Sequence, residues 1–353
     1  MSDLDAPPAV RSFRGMLLGG ALIVAILGVA VIARLLSPVQ QPSSRQPAAS
    51  SQPRAIVQIV RQQPGLPDLA DLVDRLCPAV AVIVPHGSDV SPESGGSPGI
   101  PASAYSTDGW LVTSAANMPP MPLDAVFGDG RRVNLSDIRT DPVSGLAIVK
   151  ADAPATPLSF SDQAFPRVGQ FGLALTTPAG TGCSAAASMI GSDFLADGGS
   201  GLGYVRLQPA PDFWTAGTPL VGTDGRLLGI GTDSRPGAVI PAPIASVIID
   251  ELIRGSPSAS TGFGFRVIDY AAPFSSRLGD VRSGAGVALV QAGSSAARAG
   301  LQAGDIVTTV DDQPVSSASE LNRLLDAAPA KTTVTVQRRS EQLQLTIKRS
   351  AGA

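Results

Sequence analysis

Apolar positions along this chain change pattern twice. From Met16 to Leu36, MLLGGALIVAILGVAVIARLL, they are nearly continuous and interrupted by a single charge, Arg34. A helix of that length spans ~31 Å at 1.5 Å per residue, the thickness of a bilayer core. The segment predicts a membrane anchor, with residues 1–15 as a short cytoplasmic tail. The small residues around Val31-Ile32-Ala33 leave a cleaved signal peptide as the competing reading. Residues 37–67 then lose the apolar pattern and become rich in Pro, Gln and Ser, a composition that cannot bury enough surface to fold and reads as a linker.

From Asp68 onward the apolar residues return in short runs. DLADLVDRLCP has helical spacing and ends at Pro78, and AVAVIV reads as a first strand. Further strand-like runs follow at 110–113, 125–127, 146–151, 169–175, 185–190, 204–208, 227–230 and 239–240, separated by Gly and Pro turns. Residues 244–254, IASVIIDELIR, are again helical and close a domain over 68–254. A short linker, 255–261, leads to a second region over 262–350 in which strands alternate with two short helices, a size that suits one small domain. Many short strands predict a mostly β protein, a barrel or sandwich followed by an α+β domain.

Composition narrows the function classes. Gly 38 and Pro 31 against 4% aromatics favour loop-rich β structure over a helical bundle. A net charge of -3 without any Lys/Arg cluster argues against a nucleic-acid partner. Two cysteines, Cys77 and Cys183, and one histidine, His86, cannot build a multi-cysteine or histidine metal site, and no cofactor motif occurs. Two partly buried free thiols are the expected state, with one disulfide the alternative in an oxidising compartment.

Three blocks in fixed order resemble the HtrA/DegS family of trypsin-like serine proteases. DGWLVTSAANM, 108–118, matches the family's strand and Thr-Asn-x-His through Gly109, Trp110 and Thr113, with Ala116 at the histidine position. FGDGRRVNLSDIRTDPVSGLAIVKADA, 127–153, matches through Asp141, Leu146, Ala147 and Lys150, with Gly145 at the catalytic aspartate position. In LQPAPDFWTAGTPLVGTDGRLLGIG, 207–231, the family's Gly-Asn-Ser-Gly-Gly becomes Trp214-Thr215-Ala216-Gly217-Thr218. The resemblance implies a double β-barrel over 68–254 whose nucleophile, base and orienting acid are all replaced, because none of Ala116, Gly145 and Ala216 can perform those tasks. An indole at Trp214 also replaces a glycine whose N–H would point at the oxyanion, and is expected to fill or reshape that pocket.

No other residue repairs this site in the sequence. His86 precedes the first block and reads as a solvent-facing loop histidine. Ser200, in DGGSG, precedes the 204–208 strand and suits a flexible loop. Thr215 and Thr218 have no identifiable base, and a dyad of Lys150 with Ser144 is the remote remaining arrangement.

The C-terminal region resembles a bacterial PDZ domain. Gly262-Phe263-Gly264-Phe265 matches its carboxylate-binding loop, and SAARAGLQAGDIV, 295–307, matches the segment of small-residue helix, Gly-Asp turn and strand. The resemblance implies a peptide added as a strand after Phe265, its terminal carboxylate held by loop N–H groups and its last side chain in a pocket of Phe263, Phe265, Leu321 and Leu325. Arg266 reads as solvent-exposed, with attraction of a carboxylate as its alternative role. The combined expectation is a pseudoprotease anchored in the inner membrane by one N-terminal helix, its domains periplasmic. It would bind C-termini of envelope or misfolded proteins as sensor, adaptor or regulatory subunit, alone or in a homo- or hetero-oligomer with HtrA-type proteases. The alternative is an active serine endopeptidase with a rearranged site.

Overall fold

The computed structural model describes residues 68–88, 99–116, 118–160, 165–178, 182–196, 201–233, 235–255, 262–269 and 283–349. The expected anchor at 16–36, the linker at 37–67, residues 256–261 of the second linker, and Ser200 lie outside them. Among the described residues no helix is long and apolar enough to cross a membrane.

Helix α1, Leu69–Leu76, starts where the Asp68 carboxylate accepts from the Ala70 N–H at 3.0 Å, and a 3-10 turn at Cys77–Ala79 carries Pro78 out of it. Its buried Leu72 faces Gly225, beyond the following barrel, where a Cβ would lie 3.2 Å from the leucine. Strands β1 (Val80–Pro85), β2 (Ile100–Ala104), β3 (Trp110–Ser114), β4 (Leu123–Phe127), β5 (Arg132–Thr140) and β6 (Leu146–Ala151) close a barrel in the order β1-β2-β3-β6-β5-β4. Its interior includes Ile83, Leu111, Leu123, Phe127 and Ile148, all nearly free of solvent contact.

The second barrel comprises β7 (Phe171–Thr176), β8 (Ser184–Ile190), β10 (Gly203–Gln208), β11 (Pro219–Gly222), β12 (Leu227–Gly231) and β13 (Ala238–Pro241), with the two-residue β9 (Leu195–Ala196) paired to β10. The β10–β13 pairing closes its sheet, Val205 opposite Val239. Helix α2, Ala242–Arg254, ends on Gly255 at φ 66, a left-handed cap that glycine adopts without a Cβ penalty.

In the C-terminal domain β14 (Phe265–Asp269), β15 (Ala285–Val290), β16 (Ile306–Val310), β18 (Lys331–Arg338) and β19 (Glu341–Lys348) form a sheet in that order, and β17 (Gln313–Pro314) pairs with β16. Helices α3 (Ser295–Arg298) and α4 (Ala318–Ala327) complete it. Strand β14 is an edge, paired with β15 alone. Its period-2 alternation serves two cores: Phe265 and Val267 enter the core of this domain, while Ile268 joins Ala288, Leu289 and Ile306 in the cluster that also contains Leu202 of the second barrel. The Val290 N–H donates to Gly201 O at 3.0 Å and Leu202 bridges to Leu289, so β15 also meets the second barrel through main chain.

Two sequence expectations change. The cysteines are not free thiols: Cys77 and Cys183 form a disulfide, because the starts of β1 and β8 meet beside the β4–β5 turn. A Cβ on Gly128 would lie 2.4 Å from Cys77 Sγ and 2.8 Å from Cys183 Sγ, so only glycine leaves room for the bond. Strands β2, β5, β9 and β11 were not predicted, since IPASA, RVNLSDIRT and PLVG lack a sustained apolar alternation and β9 has only two residues.

Candidate functional site

The three positions that the sequence resemblance aligns with a triad lie where the barrels meet. Ala116 follows β3 and Gly145 precedes β6, and antiparallel pairing puts Ser114 opposite Leu146. The Ala115 N–H donates to Gly145 O at 2.8 Å, and the Ala116 N–H donates to Ser114 Oγ at 3.0 Å, which locks the two segments together. From the second barrel Gly217, at φ 93, approaches so closely that a Cβ there would lie 2.4 Å from Pro101 O and 3.2 Å from Ser114 N. That approach carries the adjacent Ala216 to the end of β3. Ala116, Gly145 and Ala216 are all half-buried.

The backbone differs from an empty triad. Gly145 takes φ 71, a left-handed conformation that an aspartate adopts only under strain, and a Cβ there would meet only Asp233 Oδ1, at 3.9 Å. The Trp214 N–H donates to Pro211 O at 2.9 Å and is therefore engaged in a turn. Its half-buried indole packs on the cluster of Ile190, Val205, Leu207, Leu220, Leu228 and Val239, with Cζ2 3.1 Å from where a Cβ on Gly231 would stand. Indole Nε1 is buried and has no hydrogen-bond partner.

Other candidate groups are committed elsewhere. His86 is on the same barrel rim, but two strands from β3, where its Nδ1 lies 2.8 Å from Asp124 Oδ1. The buried Asp124 also accepts from Arg132 at 2.8 Å and from the Gly87 N–H at 3.2 Å. Lys150 Nζ donates to Asp108 Oδ2 at 2.7 Å and sits 5.1 Å from the Trp110 ring centroid, while the buried Ser144 Oγ accepts from the Leu146 N–H at 3.3 Å. These partners leave Lys150 and Ser144 without the mutual bond a dyad needs. Thr218 is fully buried, and its Oγ1 accepts from the Thr215 N–H at 3.3 Å. Among the described residues there is no group of His, Cys, Asp and Glu able to hold a metal ion.

Arg266 is neither solvent-exposed nor available to a carboxylate ligand. Its guanidinium grips Asp141 through both nitrogens, at 3.0 and 2.8 Å, and its Nε lies 3.3 Å from Glu251 Oε2 on α2. Burial alone would raise the Asp141 carboxyl, but the Arg266 hydrogen bonds and charge, with those from Ser144, outweigh it and hold the group below its usual range. The partners are 125 positions apart in the sequence, so no local pattern announces this pair.

The 262–265 loop has the opposite character. Phe263 O accepts from the Ala296 N–H at 3.1 Å and from Ser295 Oγ at 3.2 Å, and Gly264 O accepts from the Gln291 N–H at 2.8 Å. Their carbonyls are thus held inward, whereas the Phe263 and Gly264 N–H groups donate to no described residue. Gly264 takes φ 83, and a Cβ there would stand 2.3 Å from Ser294 Cβ. Phe263, Phe265, Leu321 and Leu325, expected around a side-chain pocket, are brought together in the domain core and are fully buried.

Two closed barrels followed by a sheet of this order define a double-barrel protein with a small C-terminal α+β domain. The PDZ domain family model matches residues 286–338. A probable periplasmic serine endoprotease DegP-like of Rhizobium meliloti is 28% identical over 258 residues, covering 68% of this chain and 51% of that protein. The periplasmic pH-dependent serine endoprotease DegQ of Escherichia coli is 25% identical over 300 residues, covering 74% of this chain and 65% of its own. The chain therefore spans about half to two thirds of the length of these curated relatives. Among solved structures, an HtrA-type protease AlgW with a decapeptide has TM-score 0.47 and 23% identity, covering 79% of this chain and 97% of that one. The chain is similar to HtrA/DegP-type serine proteases and carries a match to the PDZ domain.

Proposed function

We propose that this protein is a pseudoprotease of HtrA type, anchored in the inner membrane by residues 16–36 with its domains in the periplasm. Through the PDZ loop it binds C-termini of envelope or misfolded proteins, as sensor, adaptor or regulatory subunit of an HtrA-type assembly. The observation that carries this reading is a contrast in how backbone and side-chain groups are used. At the meeting of the barrels no nucleophile among the described residues is hydrogen-bonded to a base, and the Trp214 N–H is tied to Pro211 O. At the PDZ loop, successive N–H groups donate to no described residue, beside an edge of β14 that pairs with no described strand, the arrangement in which a peptide gains main-chain bonds.

The test joins two measurements on the full chain. Incubation with a fluorophosphonate probe is expected to label no residue, and a pool of random-sequence decapeptides with free C-termini is expected to bind. Labelling at any serine or threonine, with matching hydrolysis of unfolded casein, refutes the pseudoprotease reading. The second reading, an active endopeptidase with a rearranged site, draws on the relatives being named serine endoproteases and on the Asp233 carboxylate beside the Gly145 position.

A further inference from the structure

We propose that Arg349 is the cation that receives the terminal carboxylate of the bound peptide, an assignment that rests on the peptide-binding reading of the 262–265 loop. Arg349 directly follows β19 and arrives at that loop from the far end of the domain's sequence. Its Nη2 donates to three main-chain carbonyls at the end of α4 and just beyond: Leu325 O at 2.5 Å, Ala328 O at 3.2 Å and Asp326 O at 3.3 Å. Its guanidinium carbon stands 5.1 Å from the centroid of the Phe263 ring. The side chain is thereby fixed between the helix end and the first aromatic of the loop.

Among the described residues the rest of the guanidinium has no acceptor. Nε and Nη1 donate to no described residue. Nη1 lies 3.5 Å from the point a Cβ on Gly262 would occupy, so it sits against the first residue of the loop, one residue before the unengaged Phe263 and Gly264 N–H groups. A Cβ at Gly262 would also stand 3.2 Å from Arg349 Cγ, which gives that glycine a purpose: any side chain there presses on the arginine.

Electrostatics gives a reason for a cation at this place. The carbonyl end of α4 carries partial negative charge and by itself repels a carboxylate brought to the neighbouring loop. Arg349 neutralises those carbonyls through Nη2 and offers the donors of its other face to an anion. A guanidinium already immobilised by three acceptors loses little further freedom on binding. Other arginines near the loop are occupied: Arg266 by Asp141 and Glu251, and Arg298, whose Nη1 donates to Gly293 O.

The experiment is a double-mutant cycle between the arginine and the ligand's charge. The full chain and its Arg349→Gln and Arg349→Lys variants are titrated with the decapeptide pool carrying either a free C-terminal carboxylate or a C-terminal amide. Charge-assisted hydrogen bonds of this kind correspond to a change of roughly tenfold to a hundredfold in affinity. Amidation is expected to weaken binding to the unaltered protein by that factor, to lose most of its effect in Arg349→Gln and to regain part of it in Arg349→Lys. An amidation factor equal in the unaltered protein and Arg349→Gln overturns the assignment while leaving peptide binding intact. Absence of binding of either pool to the unaltered protein overturns the peptide-binding reading itself. Should Arg349→Gln fail to fold, the Arg349 Nε–H resonance of the unaltered protein decides: it is expected to shift with the acid pool and not with the amide pool, and no shift with either refutes the role.

Discussion

Truncating Arg266 to alanine removes the positive charge shared by two buried carboxylates. Asp141 is 4% exposed and Glu251 11%, against 13% for the arginine itself, so none of the three can be rehydrated without local opening. Breaking a buried ion pair by deleting one partner costs about 3–5 kcal/mol, mostly the penalty of the charge left behind. At about 2–4 °C per kcal/mol for a domain of this size, the melting temperature is expected to fall on the order of 10 °C. Urea unfolding followed by the fluorescence of Trp110 and Trp214 measures the change in the barrels. The whole triad exchanged for apolar residues of similar volume, Arg266→Met with Asp141→Leu and Glu251→Leu, is expected to recover most of the loss, because the desolvation penalty leaves with the charges. The acid dependence has a definite sign. Asp141 is depressed in the folded state, so its contribution is fully present above its unfolded value of about 3.9 and is lost as pH falls through the lowered folded value. The difference between the unaltered protein and Arg266→Ala therefore narrows below roughly pH 4. A change under 1 kcal/mol at neutral pH, or a difference that widens in acid, refutes this account.

Replacing Cys77 and Cys183 together by alanine frees a loop of 106 residues in the unfolded chain and is expected to cost about 4.8 kcal/mol, measured by guanidinium unfolding; a loss below 1 kcal/mol refutes the constraint. The triple variant Ala116→His, Gly145→Asp, Ala216→Ser is expected to stay unreactive toward a fluorophosphonate, because the Trp214 N–H donates to Pro211 O and a missing oxyanion donor alone costs about 2.7–4 kcal/mol. Efficient labelling of that variant would show that the turn opens freely. Gly264→Ala brings a Cβ within 2.3 Å of Ser294 Cβ at φ 83, so it is expected to abolish decapeptide binding and to lower stability by about 1–3 kcal/mol; unchanged affinity in a fluorescence titration counts against the loop.

Strands with a sustained apolar run, such as β6 and β10, were legible because burial imposes a period that survives in any tertiary context. Strand β5 was not, since it alternates RVNLSDIRT with only Leu135 fully buried, and its strand state depends on β4 and β6 being there to pair with it. The lack of a hydroxyl, an imidazole and a carboxylate at Ala216, Ala116 and Gly145 was readable one residue at a time, because it is a property of those residues themselves. So was the glycine pattern of the 262–265 loop. Tertiary structure decided which distant groups meet: Cys77 with Cys183, Arg266 with Asp141, and Arg349 with Phe263. The physical reason is range. Local spacing governs which face of a helix or strand a residue takes, whereas the partner of a charge or a thiol is chosen by packing between segments that the chain separates by many turns.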